Sequence, residues 1–195
     1  MEPRIQAAVW GMSDDATRWY MQRIQSALGT DATPPLYPTD FEAINALLPS
    51  PSEALKTLLE THLATLPRSI HRLLVPNITM HHMLDGMDLQ GRYGLELFHP
   101  VTETARALNA QSIHRAVLFG TRYTMQPGYL PQALEAKGIH IVFPSPEHIQ
   151  LVDQHRLRVY DGTSTPEQDR AFNALIRAYA DKQPVVLACT ELSMT

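Results

Sequence analysis

Four times in this chain a short, mostly apolar run breaks off into a loop of small, hydroxyl or amide residues. The runs are Ile5 to Trp10, His71 to Val75, Ala116 to Phe119 and Val185 to Ala188. The loops begin Gly11-Met12-Ser13, Pro76-Asn77-Ile78-Thr79, Gly120-Thr121-Arg122 and Cys189-Thr190-Glu191. Apolar runs this short suit strands covered on both faces, as in a parallel sheet, and Val185 to Ala188 is expected to be buried in that way. Ligands of open α/β sheets gather beyond the carboxyl ends of such strands, which is where all four loops lie.

Between the runs the pattern turns helical. Trp19, Tyr20, Ile24 and Leu28 recur at helical spacing behind Ser13, a well-placed N-cap, and two first-turn aspartates. Helices are expected at Phe41 to Leu48, Ser52 to Leu66, Val101 to Leu108 and Tyr129 to Lys137, with a short one after Ser145. Thr165-Pro-Glu-Gln168 combines an N-cap, a proline at the first helical position and a capping-box glutamine. Brief strands are expected at Leu36-Tyr37, within a loop from Asp31 to Pro38, and at Ile139 to Phe143, with a polar connection at Asp85 to Gly94. This alternation predicts an α/β fold with parallel strands and right-handed crossovers. Ala7-Ala-Val-Trp-Gly11 is echoed by Arg115-Ala-Val-Leu-Phe-Gly120. The echo predicts two pseudosymmetric halves, 1–97 and 98–195, with the strand-end loops around one cleft.

Composition narrows the partners. At 195 residues, 44% hydrophobic and 18% charged, the chain has the make-up of a soluble globular protein. A net charge of −4 without a basic stripe argues against nucleic acid or an anionic membrane. One cysteine forms no internal disulfide, the N-terminus lacks the apolar core of a signal peptide, and no run approaches the roughly 20 apolar residues of a membrane span. A cytoplasmic location is expected.

The single cysteine ends its strand and is followed at once by a hydroxyl and a carboxylate. A thiol there becomes a proton carrier if strand-end amides, Thr190 and the start of a helix lower its pKa, which is the expectation for Cys189; a structural buried cysteine is the alternative. Only six residues follow it, so any helix begun by Thr190 and Glu191 is short and its dipole weak.

Taken together, Gly11-Met12-Ser13 with Thr17 and Tyr20, Thr79-Met80-His81, Gly120-Thr-Arg-Tyr-Thr-Met125 and Cys189-Thr-Glu-Leu192 resemble the aspartate/glutamate racemase superfamily, to which arylmalonate decarboxylases are more distantly related. The resemblance implies cofactor-independent chemistry at the Cα of a small carboxylate, an acidic amino acid first, in a homodimer with the active site between two α/β halves. Two cysteines serve opposite faces of the substrate in such racemases, and oriented donors stabilise the charge that develops on the carboxylate. By carry-over, Cys189 is one proton carrier. Ser13, with Met12 beside it, and Thr79, Thr121, Thr124 and Thr190 are candidate substrate-binding residues, and Arg122 is a candidate partner for a side-chain carboxylate.

Asn77 occupies the first catalytic cysteine position, and an amide does not titrate. His81 or His82, with a pKa near neutrality, is a candidate substitute for that face; a histidine that merely bonds a neighbouring loop is the alternative. Three function classes follow: a racemase with a substituted second base, a single-cysteine decarboxylase or other one-sided proton-transfer enzyme, and a binding protein that keeps the cleft. The chain also stops short of the segment that in such relatives returns to the first half. No metal or cofactor is expected, because only His81 and His82 cluster among nine histidines and no phosphate or dinucleotide fingerprint is present.

Overall fold

The apolar runs become the strands of two separate parallel sheets. The computed structural model describes residues 7–29 and 33–194; Ile5 and Gln6 of the first run, and Asp31 and Ala32 of the loop that follows, lie outside them. The chain divides into two compact units, Met1–His99 and Pro100–Thr195.

In the first unit β1 (Ala7–Trp10) is central. It pairs with β2 (Leu36–Tyr37) on one side and β3 (Arg72–Leu74) on the other, and β3 pairs with β4 (Glu96–Leu97), giving the order β2-β1-β3-β4. Every pairing is parallel, with Val9 opposite both Leu36 and Leu74. The helices are α1 (Asp14–Leu28), α2 (Phe41–Asn45), α3 (Glu53–Leu63), α4 (His81–Leu84) and α5 (Leu89–Tyr93). Leu55, Leu59 and Leu63 repeat at the spacing of one helix face, so α3 buries that face against Trp10, Ile44 and Leu73. The polar segment from Asp85 to Gly94 contains a helix the sequence pattern does not suggest. Asp88 accepts a hydrogen bond from Gly91 N–H at 2.9 Å, and Gly94 closes α5 in the left-handed region at φ 66°.

The second unit repeats the plan. Here β5 (Arg115–Phe119) is central, flanked in parallel by β6 (His140–Val142) and β7 (Val185–Leu187). Around it are α6 (Pro100–Asn109), α7 (Tyr129–Glu135), α8 (Pro146–Tyr160), α9 (Pro166–Ala180) and a terminal 3-10 turn, Glu191–Ser193. The echoed segments are thus the strands β1 and β5, and the strand before Asn77 lies beside β1 as β7 lies beside β5, although β3 carries β4 on its far side and β7 is an edge. Val117, Phe119, Met125, Val152, Phe172 and Leu192 form the core, with Tyr179 edge-on to Phe119 at 5.1 Å. The capping box at Thr165 and Gln168 forms as its residues require.

Two expectations are corrected. The helix after Ser145 is long, at 15 residues: Ser145 accepts from His148 N–H, Pro146 starts the helix, and Val152 and His155 bury its inner face. Strand β7 is half-buried rather than covered on both faces, because it is an edge strand whose Val185 and Leu187 pack on the core. Among the described residues no helix is long and apolar enough to cross a membrane.

Candidate active site

In the first unit the loop after β1 is built by backbone capture. Thr39 Oγ1 donates to Gly11 O at 2.6 Å, and Met12 N–H donates to Thr17 Oγ1 at 2.8 Å. The Met12 side chain lies in the core at 5% exposure, and its backbone N–H is what holds Thr17 to this loop. Ser13 holds the N-cap position of α1, but its hydroxyl makes no cap bond.

The loop after β3 is organised by Asn77. Its Oδ1 accepts from Met80 N–H at 3.0 Å and its main-chain carbonyl accepts from the His81 ring at 2.9 Å. A carbonyl only accepts, so His81 Nδ1 carries the hydrogen and Nε2 is left as a lone pair. That lone pair is buried and meets no donor among the described residues. His81 is fully enclosed, at 0% exposure, and stands edge-on to His99 at 5.0 Å; His99 Nε2 in turn lies 2.9 Å from Asp85 Oδ1. Burial first, and then His99, lower the His81 pKa from 6.5 to about 4, against the opposing pull of the Asn77 carbonyl and Asp85. The expected near-neutral histidine is therefore a neutral one that ties α4 to Asn77. Thr79 is half-buried in the same loop, its carbonyl accepting from His82 N–H at 3.3 Å.

In the second unit the loop after β5 is locked by its own threonines. Thr124 N–H donates to Thr121 Oγ1 at 3.1 Å, and Thr124 Oγ1 returns a bond to Thr121 O at 2.9 Å. Thr124 is 2% exposed, with its hydroxyl engaged inside the loop; Thr121 is half-buried. Gly120 is required here. A Cβ would press on Thr124 Oγ1 and stand 3.1 Å from Ala188 O, where β7 ends beside β5. Arg122 is exposed, and its N–H donates to Asp153 Oδ1 on α8 at 3.1 Å.

Beyond β7, Cys189 is half-buried and donates its thiol hydrogen to Glu191 Oε2 at 2.8 Å. Burial and then the adjacent carboxylate push the thiol well above its usual range, with Arg156 pulling weakly the other way. The expected acidic thiol is corrected. The turn after it is only three residues long, too short to supply a strong dipole, and the nearest charge is negative. Thr190 heads that turn without a side-chain cap bond.

The arrangement offers a protonated thiol, a carboxylate that accepts from it, and half-buried Thr121 and Thr190 in the same unit. The first unit offers Ser13, Asn77 and Thr79 at its own strand ends. Glu191, Asp153 and Arg156 are absent from the candidates drawn from sequence. Asp153 accepts from both Arg122 N–H and Arg156 Nε, the latter at 3.3 Å, and so fixes α8 beside the loop after β5. Their spacing of three along one helix was the available signal, hidden because α8 reads as short. Among the described residues no three His, Cys, Asp or Glu side chains gather as metal ligands would.

The chain is similar in structure to an aspartate racemase homologue from Pyrococcus horikoshii OT3, with a TM-score of 0.78 and 19% identity over 97% of this chain and 87% of that one. It is also similar to a candidate Asp/Glu racemase from Yersinia pestis, with a TM-score of 0.76 and 25% identity over 96% and 86%. A third similar structure is the Picrophilus torridus aspartate racemase, with a TM-score of 0.73 and 18% identity over 96% and 81%. The family model for Asp/Glu/hydantoin racemases matches residues 9–195, which takes in all four strand-end loops. The chain belongs to the Asp/Glu/hydantoin racemase family.

Proposed function

We propose that this protein is a cofactor-independent isomerase that moves a proton at the Cα of a small carboxylic acid, an acidic amino acid first, with Cys189 as the proton carrier. The observation that supports this most directly is the thiol itself: a half-buried cysteine at the end of β7 that holds its proton and has an acceptor for it 2.8 Å away. Family membership supplies the reaction class, and the similar structures named as aspartate racemases supply the first substrates to try. Ser13, Thr79, Thr121 and Thr190 are the hydroxyls assigned to the substrate, and Arg122 is assigned to a side-chain carboxylate. A homodimer in the cytoplasm completes the reading.

A second reading is favoured by Asn77. Its amide oxygen is occupied by Met80 N–H, and an amide neither gains nor loses a proton at the pH of the cell. Proton transfer on one face only, including decarboxylation followed by protonation, fits a chain with Cys189 as its single thiol. Proton NMR in deuterated water with L- and D-aspartate and glutamate separates the readings. One-sided chemistry predicts that one enantiomer loses its Cα proton signal far faster than the other enantiomer appears, and that Cys189→Ser slows this by about 100-fold or more. A decarboxylase would release carbon dioxide from a malonate-type acid and leave a single enantiomer. Equal, fast inversion of both aspartates would refute the one-face reading, and binding without exchange would leave only the binding protein.

A further inference from the structure

Cys189 and Glu191 flank Thr190, and the bend into the terminal turn folds the carboxylate back onto the sulfur. Packing does not demand this. The turn is anchored by Leu192, which is buried at 1% exposure, whereas Glu191 is half-buried. Setting a carboxylate against a half-buried thiol opposes formation of a thiolate and costs hydration of both groups. A cysteine poised as a resting nucleophile is better served by a cation. Arg156 is the cation that acts on Cys189, and it is engaged by Asp153 at 3.3 Å. The sulfur's direct partner is therefore an acceptor, which is the arrangement that lets a thiol give up its proton at the moment of reaction.

We infer that Glu191 is a proton-relay residue acting through Cys189. It takes the thiol hydrogen when the sulfur must act as a base, and it connects that hydrogen to water. This inference rests on the reading of Cys189 given above. In the first step the S–H bond breaks and an O–H bond forms on Glu191, leaving a thiolate and a neutral carboxyl. The thiolate then takes the Cα proton, and the electron pair of the C–H bond moves into the substrate carboxylate as an enediolate. Reversal from S–H returns a proton to the same face of the carbon. Before reversal the S–H and Glu191 protons can exchange with water through the carboxyl, so in deuterated water the net change is Cα–H to Cα–D, with nothing oxidised or reduced. A relay of this kind gives a one-sided site access to solvent protons without a second thiol.

The test compares wild type, Glu191→Gln and Glu191→Asp by two readouts: alkylation of Cys189 by iodoacetamide against pH, followed by mass spectrometry, and Cα exchange of L- and D-aspartate and glutamate in deuterated water. Cys189 is the chain's one cysteine, so alkylation reports on it alone. Removing the carboxylate is expected to speed alkylation at neutral pH by about tenfold or more, the equivalent of one pKa unit. The same change is expected to slow Cα exchange by about 100-fold, with partial recovery in Glu191→Asp. The two readouts must move in opposite directions. If exchange in Glu191→Gln is unchanged, or rises together with alkylation, the carboxylate is only a brake on the thiol and the relay is overturned while Cys189 keeps its role. Alkylation unaltered in both variants, with circular dichroism confirming their folding, overturns it as well. Absence of exchange by wild type with every acid, despite Glu191-dependent alkylation, overturns the Cys189 reading and the relay with it.

Discussion

At the scale of single residues, the buried histidine of the first unit has the clearest measurable consequence. His81 is neutral in the fold down to about pH 4, whereas in the unfolded chain it takes a proton near 6.5. Between those values the unfolded state binds more protons than the folded one, so stability is full above about pH 6.5 and falls as the pH is lowered toward 4. The gap corresponds to roughly 3 kcal/mol at its limit. His81→Asn keeps an N–H within reach of the Asn77 carbonyl but removes the titration. Urea unfolding of wild type and variant at pH 7 and pH 4 is expected to show that the loss on acidification shrinks by about that amount in His81→Asn. An identical acid loss in both would mean that His81 is protonated in the fold. His81 and Asn77 lie four residues apart, a spacing visible in the sequence; that one ring is sealed into the core is a property of the packing of α4.

At the scale of elements, the junction of β5 and β7 is where backbone and site meet. Ala188 N–H donates to Phe119 O at 2.6 Å, and Gly120 then lets the chain turn so closely that a methyl group would strike Thr124 Oγ1 and crowd Ala188 O. Gly120→Ala is expected to cost about 1 to 3 kcal/mol, the range for overpacking a closed site. Adding Thr124→Ala should recover only part of it, since the crowding at Ala188 O remains. Urea unfolding of the single and double variants checks this, and full recovery in the double variant would put the entire clash on Thr124. The helices around this junction were legible to different degrees. Thr165-Pro-Glu-Gln168 announces α9 because capping is a local event written within four residues. The length of α8 was not legible, because only Val152 and His155 on it are buried, so its apolar residues do not gather into one clear face.

At the scale of the whole molecule, the two sheets share a plan in which Asn77 follows β3 as Cys189 follows β7, each strand lying beside the central strand of its sheet. If the chain keeps a racemase site apart from its missing thiol, Asn77→Cys should raise inversion of aspartate or glutamate more than it raises Cα exchange. The substitution also removes the bond from Met80 N–H to Asn77 Oδ1, a side-chain hydrogen bond of the kind worth about 1 kcal/mol. A variant somewhat less stable yet faster at inversion is therefore expected. Faster exchange with unchanged inversion would argue that Asn77 does not occupy the place of a second proton carrier.

What the sequence determined by itself was local and periodic. Apolar runs too short for helices specified parallel strands, the echo of Ala7-Ala-Val-Trp-Gly11 in the second half specified a repeated α/β plan, and the strand-end motifs specified the family, because each signal is carried by adjacent residues. Tertiary structure decided the chemistry of those same residues. Whether Cys189 is acidic depends on a carboxylate folded back by a turn and on burial among α8, α9 and Leu192. Whether His81 titrates near neutrality depends on His99 and on the walls around it, and whether Thr124 reaches a substrate depends on which way its loop closes. Spacing along a chain locates a side chain on an element, but solvation and charge come from everything packed around it, and that is settled only when distant segments meet.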